Sequence, residues 1–219
     1  MAKQPRIFLV HAVAVAVAPI AEAFARAWPA AETVNLLEDS LSPDRARDPN
    51  LTDAMAARIR ALARYACTAD AQGVLFTCSA FGPAIETAAA ESPIPVLKPN
   101  EAMFEAAFAL GSNIGMLATF APSVATMDAE FRCEAERISP AATLATVLVD
   151  RALDALKGGD ADAHNRLVAS RATELAACDA ILLAHFSTSR AAQAVRAAVD
   201  RPVLSSPDAA VAKLKRLLA

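Results

Sequence analysis

The chain has 219 residues, enough for one large domain or two small lobes, with a net charge of −3 and a sequence pI near 5.6. It carries no basic block, which argues against nucleic acid and anionic membranes as main partners. Its four cysteines show no CxxC spacing, so neither a zinc site nor a redox dithiol is expected. Reduced thiols in a cytoplasmic protein are the simplest interpretation.

The N-terminal apolar run has the pattern of a signal peptide, since Lys3 and Arg6 precede it. Two features argue against that interpretation. His11 interrupts the run, and a matching segment recurs at 113–131, inside the chain. We therefore predict a strand over Arg6–His11 and a helix from about Pro19. No other stretch reaches the ~18 apolar residues that a membrane span needs.

The rest of the chain alternates between short apolar runs and helical segments. This alternation predicts an α/β fold with parallel sheets. A short strand is predicted at 33–37, and Thr52 is expected to cap the helix that follows from Asp53. Between them, the polar stretch 38–50 is predicted to be a loop, either a solvated connection or a lid. Arg45 and Arg47 lie in it, and either could contribute positive charge to a site.

Two apolar runs end in residues with chemical potential. Gly73–Phe76 is followed by Thr77 and Cys78, and Ala180–Leu183 is followed by Ala184 and His185. Each run is typical of a buried parallel strand. Ligands of open α/β sheets bind at the carboxyl ends of strands, so Cys78 and His185 are candidates for one active site.

A constant sequence offset indicates an internal duplication. Cys78 and His185 lie 107 positions apart (185 − 78), and three further pairs of segments share this offset. These are 6–7 with 113–114, 23–24 with 130–131, and 95–97 with 202–204. Two copies of one α/β unit would bring the two residues to opposite walls of a central cleft. We expect lobe one to span 1–98, with the helix at 205–219 packing back on it, and lobe two to span 99–204.

Four segments of the chain together carry a family resemblance: GVLFTCSAFG (73–82), GSNIGMLAT (111–119), DAILLAHFS (179–187) and PVLSSPDAAV (202–211). They resemble the aspartate/glutamate/hydantoin racemase superfamily. The resemblance implies two pseudo-symmetric flavodoxin-like lobes with parallel sheets and an active site between them. It also implies chemistry without a cofactor or a metal, carried out by one cysteine from each lobe, and a possible homodimer. The superfamily includes amino-acid and hydantoin racemases, maleate cis–trans isomerases and arylmalonate decarboxylases.

The resemblance places Cys78 on the first catalytic cysteine and His185 on the second. The second motif is usually Gly-Cys-Thr or Gly-Cys-Ala, so a histidine is a departure. A further departure follows the first strand, where many members have an asparagine that helps hold the substrate carboxylate and this chain has His11 and Ala12. A Cys/His pair is chemically sufficient for proton transfer on both faces of a carbon. A cysteine at a helix N-terminus also has its thiolate favoured.

Several functions remain open at this stage. The first is a cofactor-independent racemase or isomerase of a small carboxylate or amino-acid derivative. The second is a decarboxylase or cis–trans isomerase that depends on Cys78 alone, with His185 free to activate the thiol. The third is a small-carboxylate-binding protein without catalysis, motivated by the missing second cysteine.

The remaining polar candidates lie next to predicted strand ends. Hydroxyl groups can orient a carboxylate, and each can equally be a helix cap. His11 is a candidate substrate contact or a satisfied structural histidine. His164, beside Asp160 and Asp162, is expected at the surface, and Cys67, Cys133 and Cys178 are expected to be packing residues. The hydroxyl candidates for substrate binding are Ser79, Thr119, Ser187 and Thr188.

Overall fold

Strands and helices alternate throughout residues 4–48 and 50–219, the part of the chain that the computed structural model describes. Lys3 and Pro49 lie outside these residues. The chain divides into two units. One consists of Met1–Asn100 with Ala210–Ala219, and the other of Glu101–Ala209. None of the helices within the described ranges is long and apolar enough to cross a membrane.

The first unit is built on a parallel sheet with strand order β2-β1-β3-β4. The central strands β1 and β3 are almost entirely buried, which explains why they are continuous apolar runs. The strands are β1 (Arg6–His11), β2 (Glu32–Leu37), β3 (Gly73–Phe76) and β4 (Val96–Leu97). The helices are α1 (Val17–Ala27), α2 (Leu41–Arg47), α3 (Asp53–Thr68) and α4 (Gly82–Glu91).

The second unit repeats this plan with the order β6-β5-β7-β8, again parallel. Its strands are β5 (Asn113–Ala118), β6 (Thr143–Leu148), β7 (Ala180–Leu183) and β8 (Val203–Ser205). Its helices are α5 (Glu101–Phe108), α6 (Ala121–Ile138), α7 (Ala152–Lys157), α8 (Ala161–Arg171), α9 (His185–Thr188) and α10 (Ala192–Ala198). The last helix, α11 (Ser206–Leu217), begins in this unit and ends in the first one.

The two sheets share the same register, which confirms the predicted duplication. Ile7 pairs with Gly73 in one sheet, and Ile114 pairs with Ala180 in the other. Each residue of the second pair lies 107 positions after its counterpart in the first. The central strands therefore occupy equivalent places, and so do the residues that follow them.

Two helices, α3 and α8, begin after a residue whose side chain caps the first turn. The side chain of Thr52 accepts a hydrogen bond from the backbone N–H of Met55 at 3.3 Å, which confirms the predicted cap of α3. The side chain of Asp160 caps α8 in the same way, accepting from the N–H of Ala163 at 2.8 Å. These contacts satisfy backbone donors that the first turn of a helix leaves without partners.

The prediction that 38–50 is a loop was wrong, because this stretch contains α2. Pro43 lies in the first turn of the helix, where its missing N–H costs no hydrogen bond. Arg58 of α3 then binds Asp44 at 2.6 Å and also binds Glu38. These contacts fix the chain on both sides of the start of α2.

Candidate active site

Cys78 lies at the carboxyl end of β3, at the position that the sequence predicts. Thr77 and Cys78 follow the strand, and Cys78 has an extended backbone, with φ −125° and ψ 122°. A short 3-10 turn over Ser79–Phe81 then leads into α4. Cys78 and Ser79 are half-buried, so both side chains are partly accessible.

His11, at the end of the neighbouring strand β1, is held on both sides. Its side chain is fully buried. Nδ1 lies 2.9 Å from the hydroxyl of Thr77, and Nε2 lies 2.9 Å from Oδ1 of Asn35. Burial lowers the pKa of His11, while the Asn35 hydrogen bond opposes this effect. Because both ring nitrogens are engaged, the contacts favour the structural alternative for His11 over substrate binding.

The two arginines of α2 make different contacts. Arg45 donates from Nε to the carbonyl of Ala80 at 3.2 Å and from Nη1 to the carbonyl of Asp48 at 2.5 Å. Arg47 is exposed and binds Asp44 at 3.1 Å. Arg45 therefore places a positive charge against the turn that follows Cys78, and Arg47 does not.

His185 occupies the equivalent place in the second unit, two residues after β7. Its backbone is left-handed, with φ at +67°, and it starts the short helix α9. Its Nε2 lies 2.6 Å from the hydroxyl of Ser123 in α6. Burial lowers the pKa of His185, which favours the neutral imidazole.

The hydroxyl residues of the second unit differ in environment. Thr119 and Thr188 are buried, and their hydroxyl oxygens lie 3.2 Å apart. In such a pair one hydroxyl donates to the other, and the second keeps its own hydrogen for another acceptor. Ser187 is half-buried on α9.

Three residues that contact site candidates were not predicted. Asn35 and Thr77 bond to His11, and Ser123 bonds to His185. Thr77 directly precedes Cys78, and Ser123 lies in the first turn of the helix after β5. The places of Thr77 and Ser123 near strand ends were visible in the sequence, but their partners were not, and Asn35 lies inside β2.

Two expectations away from the strand ends were wrong. His164 is fully buried rather than on the surface, because α8 turns it toward the core together with Val168. Cys133 is exposed on α6 rather than packed. Cys178 is buried and Cys67 is intermediate. Within the described ranges no group of three or more His, Cys, Asp or Glu side chains is arranged to hold a metal ion.

Most of the chain matches a single protein-family model. A family model described as Asp/Glu/Hydantoin racemase matches residues 12–214. A search of curated protein sequences found no match.

Solved structures with this fold include three that cover nearly all of the chain. An allantoin racemase from Klebsiella pneumoniae has a TM-score of 0.72 at 18% identity, covering 98% of this chain and 87% of its own. An aspartate racemase homologue from Pyrococcus horikoshii has a TM-score of 0.73 at 12% identity, covering 98% and 99%. An arylmalonate decarboxylase in its unliganded form has a TM-score of 0.70 at 20% identity, covering 98% and 93%. At these identities the likeness shows a shared fold.

Proposed function

The chain belongs to the Asp/Glu/Hydantoin racemase family, and we propose that it is a cofactor-independent racemase of a small carboxylate or amino-acid derivative. Cys78 and His185 are the proposed proton-transfer groups. Family membership supports the reaction class, and the identity of the substrate is left to experiment.

One observation carries this proposal. The two units place a thiol and an imidazole at equivalent positions, each two residues after the third strand of its own sheet. Carboxyl ends of parallel strands are where ligands bind in such sheets. Racemisation without a cofactor needs one group that removes a proton and another that returns one, and this chain repeats one structural position to supply both.

Because burial lowers the pKa of His185, we assign the neutral imidazole as the group that removes the proton. The neutral imidazole removes the α-proton, and the electron pair of the broken C–H bond is delocalised into the adjacent carbonyl group. The thiol of Cys78 then donates its proton to the opposite face, and the electron pair forms the new C–H bond. The products at the site are an imidazolium and a thiolate, which have the protonation states required for the reverse direction.

Substrate binding is assigned to groups that can orient an anion. Ser79 and Ser187 are half-buried hydroxyls beside the two proposed catalytic residues. In the second unit, the Thr119–Thr188 pair retains one hydroxyl hydrogen for a carboxylate oxygen. Arg45 supports this assignment with positive charge at the turn after Cys78.

Solvent-deuterium exchange tests the proposal. The protein is incubated in heavy water with aspartate, glutamate, hydantoins, allantoin, maleate and arylmalonates, and deuterium at the α-carbon is followed by NMR. We expect incorporation with one substrate class. Cys78→Ala should lose the interconversion of the two enantiomers, because only His185 remains and it exchanges a proton on one face. The matched control is Cys133→Ala, which removes an exposed thiol on α6 and should keep full activity. Retained interconversion of the enantiomers in Cys78→Ala would reject the assignment.

A second candidate is a decarboxylase or a cis–trans isomerase that uses Cys78 alone. It is favoured by the presence of one thiol, rather than two, at the equivalent strand ends. A decarboxylase needs one proton donor after carbon dioxide leaves, and Cys78 would suffice. Release of carbon dioxide from an arylmalonate, or conversion of maleate to its trans isomer, would identify these reactions. Stabilisation of the fold by a ligand without any turnover would instead indicate a binding protein.

A further inference from the structure

We infer that Ser123 is a positioning residue that holds the imidazole of His185 in its Nε2–H form and leaves Nδ1 as the basic nitrogen. The catalytic use of Nδ1 rests on the proposed function. The tautomer itself is a property of the free protein. Ser123 belongs to α6 and His185 to α9, so the contact joins the helices that follow β5 and β7 in one unit.

Two short contacts at the Ser123 hydroxyl determine where the protons lie. Its oxygen is 2.7 Å from the carbonyl oxygen of Phe120 and 2.6 Å from Nε2 of His185. A carbonyl oxygen only accepts, so the hydroxyl hydrogen is required for the Phe120 contact. The contact with the ring is then a hydrogen bond only if Nε2–H donates to the Ser123 oxygen. A neutral imidazole that carries its hydrogen on Nε2 has its lone pair on Nδ1.

Nδ1 of His185 is available for proton transfer. No group among the described residues forms a hydrogen bond with it. In the described part of the chain, Nε2 of His164 is the one side-chain nitrogen or oxygen that is both buried and without a hydrogen-bond partner. Nδ1 of His185 also has no partner there, so it is not buried. The ring is therefore anchored at one nitrogen and accessible at the other, which is the arrangement that a general base needs.

The first unit provides an internal comparison. The residue equivalent to Ser123, 107 positions earlier, is Ala16, which is buried and has no hydroxyl. The strand-end group of that unit is Cys78, whose thiol has no tautomers. The hydroxyl is thus present in the unit where the proton-transfer group is an imidazole, and absent where that group is a thiol.

Nitrogen-15 NMR of the histidine rings tests the inference without a substrate. The chain has three histidines, so the signals are few, and the His185 signal is assigned by its loss in His185→Asn. We expect the Nε2–H pattern for His185 in the unmodified protein at neutral pH. Ser123→Ala should shift the signal toward a mixture of both tautomers, and Ser123→Thr should restore the original pattern. Ser170→Ala is the matched control, since Ser170 also bonds a carbonyl three residues back, at 2.8 Å, but lies on α8.

The exchange assay supplies a second readout. Ser123→Ala should lower turnover by about tenfold or more and move the acidic limb of the pH profile to lower pH, because the imidazolium loses an acceptor for its N–H. Ser123→Thr should retain both properties.

The outcomes separate this inference from the proposed function. A His185 ring that is Nδ1–H in the unmodified protein, or one unaffected by Ser123→Ala, would overturn the role of Ser123 even in an active racemase. Absence of turnover with every substrate, combined with the expected tautomer change, would instead reject the proposed function and leave the positioning contact established.

Discussion

Nδ1 of His11 lies 2.9 Å from the hydroxyl of Thr77, the residue that precedes Cys78. The contact joins the ends of β1 and β3 inside the first unit. It fixes the backbone where β3 ends, one residue before the thiol and two before the turn over Ser79–Phe81.

Thr77→Val should destabilise the protein by about 1–3 kcal/mol, because the replacement keeps the shape and leaves a buried ring nitrogen without its partner. Urea unfolding measures this change. Thr87→Val is the control, since Thr87 bonds a carbonyl on the exposed side of α4 and its loss should cost under about 0.5 kcal/mol. Equal effects of the two substitutions would contradict a special role for the His11 contact.

The stability of the fold should fall as the pH is lowered below about 6.5, the ordinary pKa of histidine. Burial lowers the pKa of both His11 and His185 in the folded protein. Between the folded and unfolded pKa values the unfolded chain binds more protons, so the free energy of unfolding rises with pH in that window. Urea unfolding between pH 5 and pH 8 (roughly the range in which histidine alone titrates) measures the slope. His185→Asn should reduce the slope, and a slope unchanged by this substitution would contradict the prediction.

The left-handed backbone of His185 makes a prediction about two truncations. His185→Gly and His185→Ala both remove the imidazole and should both abolish turnover. His185→Gly should be more stable than His185→Ala by about 1 kcal/mol, because only glycine adopts a positive φ without a steric cost. Arg151 has φ at +65° on the surface, so the same pair of substitutions there should show the same order of stability. The reverse order at 185 would show that its backbone relaxes once the ring is gone.

His164 offers a stabilising substitution. Its side chain is fully buried, and its Nε2 has no hydrogen-bond partner among the described residues. His164→Leu keeps a similar volume and removes the unpaired polar atom, so it should raise the free energy of unfolding by about 1 kcal/mol. His164→Ala should lower it by about 2 kcal/mol or more, because it leaves a cavity. Thermal unfolding compares both variants with the parent, and a loss of stability in His164→Leu would indicate that Nε2 has a partner such as a buried water.

The sequence predicted best those features that depend on local or repeated patterns of apolar residues. Buried parallel strands are continuous apolar runs, and their repeated offset carried enough information to predict both sheets and the equivalent places of Cys78 and His185. The contact of Ser123 with His185 was not predictable in this way, because the offset pairs Ser123 with Ala16, which has no polar group.

The prediction that His164 lies on the surface was wrong because it used the polarity of the neighbouring residues and not the helical spacing. The acidic residues beside it suggested a surface, yet His164, Val168 and Ala172 follow one another at intervals of four and are all buried. Helical spacing decides which face of α8 meets the core, and the polarity of adjacent residues does not.

The assignment of the C-terminal residues has a consequence for synthesis on the ribosome. Ala210–Ala219 belong to the first unit, where Lys215 donates to the carbonyl of Ala27 at 3.1 Å. The second unit is one continuous stretch of chain, whereas the first also needs residues 210–219, which are translated after the second unit. Because contiguous domains fold as they emerge, the unit whose synthesis begins first is completed after the second. A nascent chain arrested before Ala210 would present a folded second unit and an unfinished first one.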